Sequence, residues 1–137
     1  MNRVVVLSLK KKFKKLEFKI QTLGRELLKA EKKDGFYFEV YLVDRAFMNK
    51  NVLAFPAPRF FNRPDIKQKN LGEIYLNPDY IRNEKLEIRN KELNFDKKLR
   101  YLLIHGFLHL LGYGHKKKGD TIIMQRKEAK LLSKFRN

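Results

Sequence analysis

Hydrophobic residues recur with a helical period in the N-terminal third of the chain. Leu16, Ile20, Leu23 and Leu27 stand at i, i+4, i+7 and i+11, which places them on one face of an amphipathic helix. This helix is predicted to end at Asp34-Gly35, a pair typical of helix C-termini.

Short apolar runs rich in β-branched and aromatic residues predict four strands, at residues 4–9, 36–43, 51–55 and 71–76. The second run is apolar on both faces apart from Glu39, a pattern typical of a central strand that is covered on both sides. Residues 44–50 are predicted to be a turn or short helix. The proline-rich residues 56–70 are predicted to be a loop, and residues 80–91 a short helix and a connection.

The window from residue 101 to 115 contains all three histidines of the protein and no charged residue. Because 34% of the chain is charged, an uncharged stretch of this length predicts a buried helix, with Asn94 or Asp96 as its N-cap. A last helix, capped near Asp120, is expected to bury a set of apolar residues: Met124, Leu131, Leu132 and Phe135.

The elements predict an α/β (α+β) fold with one mixed sheet of about four strands, packed with helices around the buried helix that carries the histidines. At 137 residues, the chain is expected to form a single domain over residues 1–137.

The three histidines have the spacing of a metal site. Four residues of α-helix turn through about 400°, so His105 and His109 point the same way, one turn apart. Gly112 can end the helix in the left-handed conformation, which lets the chain fold back and bring His115 to the same point. A lone histidine on an apolar helix is usually a core residue, but three imidazoles in this pattern favour a zinc ion with an open fourth position. The chain has no cysteine, which excludes disulfides and zinc-thiolate sites.

The charge of the chain indicates a polyanionic partner. Thirty-two basic residues against 15 acidic ones give +17, which favours nucleic acid first and an anionic membrane second; a solvated lysine surface is the alternative. Lys116, Lys117 and Lys118 directly follow the third histidine. The adjacent Phe60 and Phe61 either stack on bases or anchor their loop. No apolar run is long enough for a signal peptide or a membrane span, so we expect a soluble, cytoplasmic protein.

Several of these segments resemble one known family. Residues 105–115, HGFLHLLGYGH, are similar to the HGxLHLxGYDH signature of the YbeY-type bacterial endoribonucleases, the rRNA maturation factors. Residues 51–56, NVLAFP, resemble that family's (D/N)VLSFP strand, and residues 71–74, LGEI, resemble its LGDI strand. Met124 and Glu128 stand where the family has a methionine and a glutamate on its closing helix. The resemblance implies one zinc ion on His105, His109 and His115, and single-strand-specific cleavage in rRNA processing and ribosome quality control.

The chain departs from the family pattern at two places. Gly114 replaces the aspartate that usually precedes the third histidine, and the arginine-bearing loop before the (D/N)VLSF strand is shortened to residues 44–50. Arg45 and Lys50 are the nearest cations and are therefore the candidate phosphate-binding residues.

These features predict a metal-dependent endoribonuclease in which a zinc-bound water attacks the phosphodiester or the metal polarises the phosphate. Its partners would be single-stranded RNA and the ribosome, with no organic cofactor and no membrane. The alternative is a non-catalytic RNA- or ribosome-binding protein with a structural zinc, whose fourth ligand would come from one of three acidic residues: Glu73, Asp120 or Glu128. A metzincin-type peptidase is disfavoured because Gly106 stands where that class has its glutamate base.

Overall fold

A four-stranded mixed sheet forms the centre of the protein. The computed structural model describes residues 1–58, 65, 67–114 and 118–135. The strands run in the order β1-β2-β4-β3, with β1, β2 and β4 parallel and β3 antiparallel at the edge. Their bounds are β1 Arg3–Ser8, β2 Phe36–Leu42, β3 Val52–Pro56 and β4 Lys69–Leu76. The predicted fold class is confirmed. Pro56, expected to stop its strand, instead forms the last residue of β3, which an edge strand tolerates.

Helices pack on this sheet and at its ends. In the part of the chain that the structure describes, they are a 3₁₀-helix at Lys11–Leu16 and four α-helices: α1 Glu17–Ala30, α2 Pro78–Asn83, α3 Phe95–Leu110 and α4 Lys118–Lys134. Asn94 caps α3, since its side-chain oxygen accepts a hydrogen bond from the backbone N–H of Lys97 at 2.9 Å. The last helix begins two residues before the predicted cap at Asp120. Within the described residues, no helix is long and apolar enough to cross a membrane.

Helix α1 ends earlier than the prediction at Asp34-Gly35. Its last residue is Ala30, and Lys32 takes the left-handed conformation with φ 54°. The backbone N–H of Lys33 bonds to the carbonyl of Leu28 at 2.9 Å, which closes the helix with a lysine where a glycine is usual. Gly35 also has a positive φ, 77°, but there it turns the chain into β2.

Helices α1 and α3 approach the same face of the sheet closely. A Cβ on Gly24 of α1 would lie 3.0 Å from Phe38 and from Val4, and a Cβ on Gly106 of α3 would lie 3.0 Å from Ile74. Glycine at these points therefore permits contact between helix backbone and sheet. The core between them is apolar, and α3 is buried along most of its length.

The opposite face of the sheet meets only in part the expectation that β2 is covered on both sides. On that face Tyr37 is fully buried, whereas Glu39 and Tyr41 are half-buried. Tyr41 stacks on Tyr75 of β4 with ring centroids 5.1 Å apart, and Phe47 stacks on Tyr75 at 5.6 Å. Aromatic side chains that stack on one another therefore account for the apolar residues at this part of the face, where the sequence predicted a covering layer.

A β-bulge interrupts the pairing of β2 with β4. Tyr37 pairs with Asn70 and Glu39 pairs with Glu73, so β4 has one more residue than β2 over this interval. Gly72 lies in the bulge with φ 131°, and its N–H bonds to the side chain of Asn70 at 2.9 Å. The bulge forms where the backbone of β4 closely approaches that of β3.

Residues 80–91 contain more structure than a short helix and a connection. Asn77 caps α2 by accepting a hydrogen bond from the N–H of Tyr80 at 3.1 Å. After α2, a small hairpin of β5 (Glu87–Ile88) and β6 (Lys91–Glu92) follows, which the sequence did not predict. The buried ammonium of Lys98 on α3 donates to the carbonyls of Arg82 at 3.1 Å and Glu84 at 2.8 Å, so it ties α3 to the segment before the hairpin.

Candidate metal centre

Helix α3 positions His105 and His109 and ends as the sequence predicts. Gly112 has φ 101°, its N–H bonds to the carbonyl of His109 at 3.1 Å, and the N–H of Tyr113 bonds to the carbonyl of Leu108 at 3.0 Å. This pair of bonds is the Schellman motif, in which a left-handed glycine reverses the chain direction. The chain therefore turns immediately after the second histidine.

The two imidazoles meet through the same ring atom. His105 Nε2 and His109 Nε2 are 3.1 Å apart, and the ring planes are inclined by 77°. Two zinc–nitrogen bonds of about 2.0–2.1 Å at a tetrahedral angle would hold their nitrogens about 3.3 Å apart. The pair therefore fits two ligands of a tetrahedral zinc ion with almost no rearrangement.

A buried carboxylate fixes the orientation of the first histidine. Glu128 on α4 is buried, and its Oε2 lies 2.7 Å from His105 Nδ1. A carboxylate accepts hydrogen bonds, so the Nδ1 position of His105 has the proton and Nε2 presents a lone pair. Tyr101 also donates to Glu128: burial and this carboxylate raise the pKa of the Tyr101 hydroxyl, which keeps the donor protonated.

The three acidic residues named as candidate fourth ligands lie at different places in the fold. Glu73 lies on the sheet face away from α3 and accepts a hydrogen bond from the Tyr75 hydroxyl at 3.2 Å. Glu128 contacts the outer nitrogen of His105 and so orients a ligand. Asp120 lines a cavity of about 510 Å³ beside His109, together with residues of β3 and of the turn after α3. Of these three carboxylates, Asp120 is the one in the cavity next to the histidine pair.

Some predicted site residues lie outside the described part of the chain. These are the third predicted ligand, His115, together with Phe60, Phe61, Lys116, Lys117 and the side chain of Lys118. Among the residues that are described, no three His, Cys, Asp or Glu side chains converge as a metal site. The described structure thus provides two of the three predicted ligands.

Arg45 and Lys50 are not brought to the histidine pair. The Arg45 guanidinium lies 5.6 Å from the centroid of the Tyr80 ring on α2. Lys50 precedes the start of β3, whereas Ala54 and Pro56 further along this strand line the cavity beside His109. Neither cation lines that cavity, so a role for them at the phosphate remains a sequence-based prediction.

The position at which metzincin peptidases have their glutamate base is occupied here by Gly106, which packs against the hydrophobic core. Gly106 is buried, and an added Cβ would lie 3.0 Å from Ile74 Cγ2 and 3.4 Å from Val52 Cγ2. A glutamate here would place a carboxylate among aliphatic side chains and away from the histidine cavity. The packing agrees with the sequence in disfavouring peptide hydrolysis.

Sequence reasoning missed the positioning role of Glu128 and Tyr101. Tyr101 precedes His105 by four residues, just as His105 precedes His109, so the three rings follow one face of α3. This spacing was available in the sequence. The contact with Glu128 was not, because it depends on how α4 docks against α3.

Replacing Glu128 with Gln is expected to weaken zinc binding roughly 10- to 100-fold, the usual effect of losing a carboxylate behind a histidine ligand. The amide loses the negative charge that stabilises the Nδ1–H form of His105. Competition with a chromophoric chelator measures the affinity. Glu26→Gln, an exposed change on α1, is the matched control, and equal affinities in the two variants would contradict the positioning role.

Comparisons with known proteins agree with this geometry. The profile of the family described as Endoribonuclease YbeY matches residues 7–136. The chain is 40% identical over 86 residues to Endoribonuclease YbeY of Rhizobium leguminosarum, covering 62% of this chain and 47% of that protein. It is 35% identical over 102 residues to Endoribonuclease YbeY of Francisella tularensis, covering 71% of this chain and 61% of that protein. The chain thus spans about half to three fifths of the length of these relatives.

A solved structure shares the fold. The solution structure of TM1509 from Thermotoga maritima superposes with a TM-score of 0.58 at 27% identity, covering 95% of this chain and 87% of that one. The histidine motif, the order of the strands and a family match over nearly the whole chain lead to one assignment: this protein belongs to the YbeY endoribonuclease family.

Proposed function

We propose that the protein is a zinc-dependent, single-strand-specific endoribonuclease that acts in rRNA maturation and ribosome quality control. The observation that carries the proposal is the histidine pair, with its Nε2 atoms 3.1 Å apart and His105 Nδ1 held by Glu128. Such a pair, together with the sequence-predicted ligand His115, would provide three neutral imidazole ligands for one zinc ion per chain. The relatives named Endoribonuclease YbeY support RNA as the substrate.

A zinc ion bound here would supply Lewis acidity, polarising a phosphoryl oxygen and making an adjacent water more acidic. The residues of the chain provide the rest of the site. Glu128 holds the Nδ1 proton of His105 and, through it, the direction of Nε2. Asp120 lines the cavity beside His109, where its carboxylate would accept a proton from an attacking water or 2′-hydroxyl.

The cavity admits a nucleotide-sized group. Its volume of about 510 Å³ lies within the range of small-ligand sites, and it opens beside His109 and the turn at Gly112. The charge of +17 supports binding of a phosphate backbone, which attracts the protein through long-range electrostatics and counterion release. A ribosomal partner is proposed on the same grounds.

Zinc content and RNA cleavage together test the proposal. We expect one zinc per chain in the purified protein and cleavage of single-stranded rRNA fragments that stops on adding a chelator and resumes on adding zinc. Duplexes of the same sequence should remain intact. A protein that binds zinc stoichiometrically and leaves single-stranded RNA uncut would instead be an RNA-binding protein with a structural metal.

A further inference from the structure

The hairpin that follows α2 presents an arginine at a demanding backbone position. Ile88 pairs with Lys91, which leaves a two-residue turn of Arg89 and Asn90 with φ of 53° and 64°. Both positions of such a turn favour asparagine, aspartate or glycine, because other side chains clash with the backbone there. Asn90 meets this preference and Arg89 does not. Residues with an unfavourable backbone conformation are often found at functional sites, which makes the Arg89 side chain a candidate for a binding role.

Arg89 lines one wall of a groove that reaches Glu128, the carboxylate behind His105. The groove has a volume of about 610 Å³ and lies between the hairpin, Tyr101 on α3 and the outer face of α4. Arg126 lies on the α4 wall, and Glu128 forms part of the lining. Because Glu128 also contacts His105 Nδ1, the groove and the histidine pair share a wall.

The groove offers two cations to an anionic ligand. Four charged side chains line it: Glu87, Arg89, Arg126 and Glu128. Glu87 lies 3.6 Å from the ammonium of Lys85, and Glu128 is engaged by His105 and Tyr101. Within the described residues, the ion pairs of the structure involve neither Arg89 nor Arg126, and both are exposed. The two guanidinium groups are thus available to an anion.

The position of the groove relative to the row of aromatic rings on α3 suits a strand of RNA that also reaches the histidines. Tyr101, His105 and His109 follow one another over eight residues, about 12 Å of helix. The groove is at the Tyr101 end and the cavity beside His109 is at the other end. A single strand that places one phosphodiester at the histidines and follows this row of rings would bring a nearby nucleotide to the groove.

We propose that this groove binds a backbone phosphate of single-stranded RNA next to the phosphodiester that is cleaved, through Arg89 and Arg126. Guanidinium groups bind phosphate oxygens with charge-assisted, often bidentate hydrogen bonds. The segment before β3 is short, residues 44–50, and the guanidinium of its Arg45 lies over the Tyr80 ring. The subsite would therefore provide a cationic contact with RNA that this segment does not. This inference rests on the proposed function, because it assumes that RNA is the substrate.

Removal of both charges tests the subsite. The variant Arg89→Asn/Arg126→Gln and the single variants are compared with Arg25→Gln, which removes an exposed arginine on α1. Affinity for a single-stranded 2′-O-methyl RNA is measured over a salt series, and the strand is checked to be intact at the end of each measurement. The slope of log affinity against log salt should fall by about 0.7 for each phosphate that the variant no longer binds, and Arg25→Gln should leave it unchanged. In cleavage assays of unmodified RNA, KM should rise while kcat changes little.

The thermal stability of Arg89→Asn distinguishes a role of Arg89 in RNA binding from a role in folding. Arg89→Asn places a residue suited to the left-handed turn, so its Tm should equal or exceed that of the wild type while its RNA affinity falls. A fall in Tm with unchanged affinity would mean that Arg89 is structural and would overturn the subsite.

The outcomes for the subsite and for the proposed function are distinct. If the wild type cleaves RNA and the double variant has the salt slope and KM of Arg25→Gln, the subsite is wrong and the ribonuclease stands. If the wild type binds RNA without cutting it and the double variant binds more weakly, Arg89 and Arg126 bind an RNA phosphate and the proposed catalysis is wrong. A wild type that neither binds nor cuts single-stranded RNA overturns both.

Discussion

His109→Ala is expected to abolish stoichiometric zinc binding. The imidazole of His109 places its Nε2 3.1 Å from that of His105, so its loss removes one of two ligands that the fold aligns without rearrangement. A site reduced to two histidines leaves zinc with too few protein ligands for tight binding. RNA cleavage should be lost in the same variant, whereas binding of RNA should persist because it depends on surface cations.

Metal analysis after dialysis and circular dichroism measure this result. Thr22→Ala, an exposed change on α1, is the control for the handling of the protein. Retention of one zinc per chain by a folded His109→Ala protein would exclude this histidine as a ligand. Loss of zinc together with loss of helical signal would require the milder His109→Gln variant, which retains a polar side chain of similar length.

Gly72→Ala is expected to have the largest effect on stability. A Cβ at this position would lie 2.2 Å from the carbonyl oxygen of Phe55 and 2.9 Å from the backbone of Ala57 and Pro56. The contact is with backbone, so no side chain can rotate away, and φ of 131° is itself unfavourable for alanine. Strain and overpacking together should cost about 3–5 kcal/mol, a large part of the free energy of unfolding of a small domain.

Gly35→Ala is the matched control, since Gly35 also has a positive φ, 77°, but a Cβ there would meet no atom within 4 Å. Its cost should be limited to the conformational term, about 1 kcal/mol. Denaturant unfolding measures both. If the two variants are equally stable, the close approach of β4 to β3 is not a constraint on the fold.

The sequence predicted the elements whose signals are local. The uncharged window around the histidines, the cap at Asn94 and the stop at Gly112 depend on neighbouring residues, and α3 begins and ends where they indicate. The strands followed from short β-branched and aromatic runs. Spacing alone aligned His105 with His109, because a helix determines the relative directions of its side chains.

The sequence failed where the outcome depends on contacts between elements. Helix α1 ends with Lys32 in the left-handed conformation, before the chain turns into β2. The glycine that usually marks such a helix end is absent at this position, so the sequence predicted the end too late. The hairpin turn of Arg89 and Asn90 contains no glycine, so the usual signal was absent. Glu128 stands in a charged stretch of α4, and only the docking of that helix buries it against His105.

The bond between Glu128 and His105 also has a consequence for the dynamics of the C-terminal helix. Among the described elements, α4 packs chiefly on α3, and Glu128 links it directly to a proposed metal ligand. Any local unfolding that detaches α4 from α3 must break this hydrogen bond. A metal ion that binds more tightly when the bond is intact therefore raises the free energy needed to detach α4. Under the zinc proposal, metal loading should therefore slow amide hydrogen exchange in α4 more than in α1, although the three histidines proposed as zinc ligands lie outside α4.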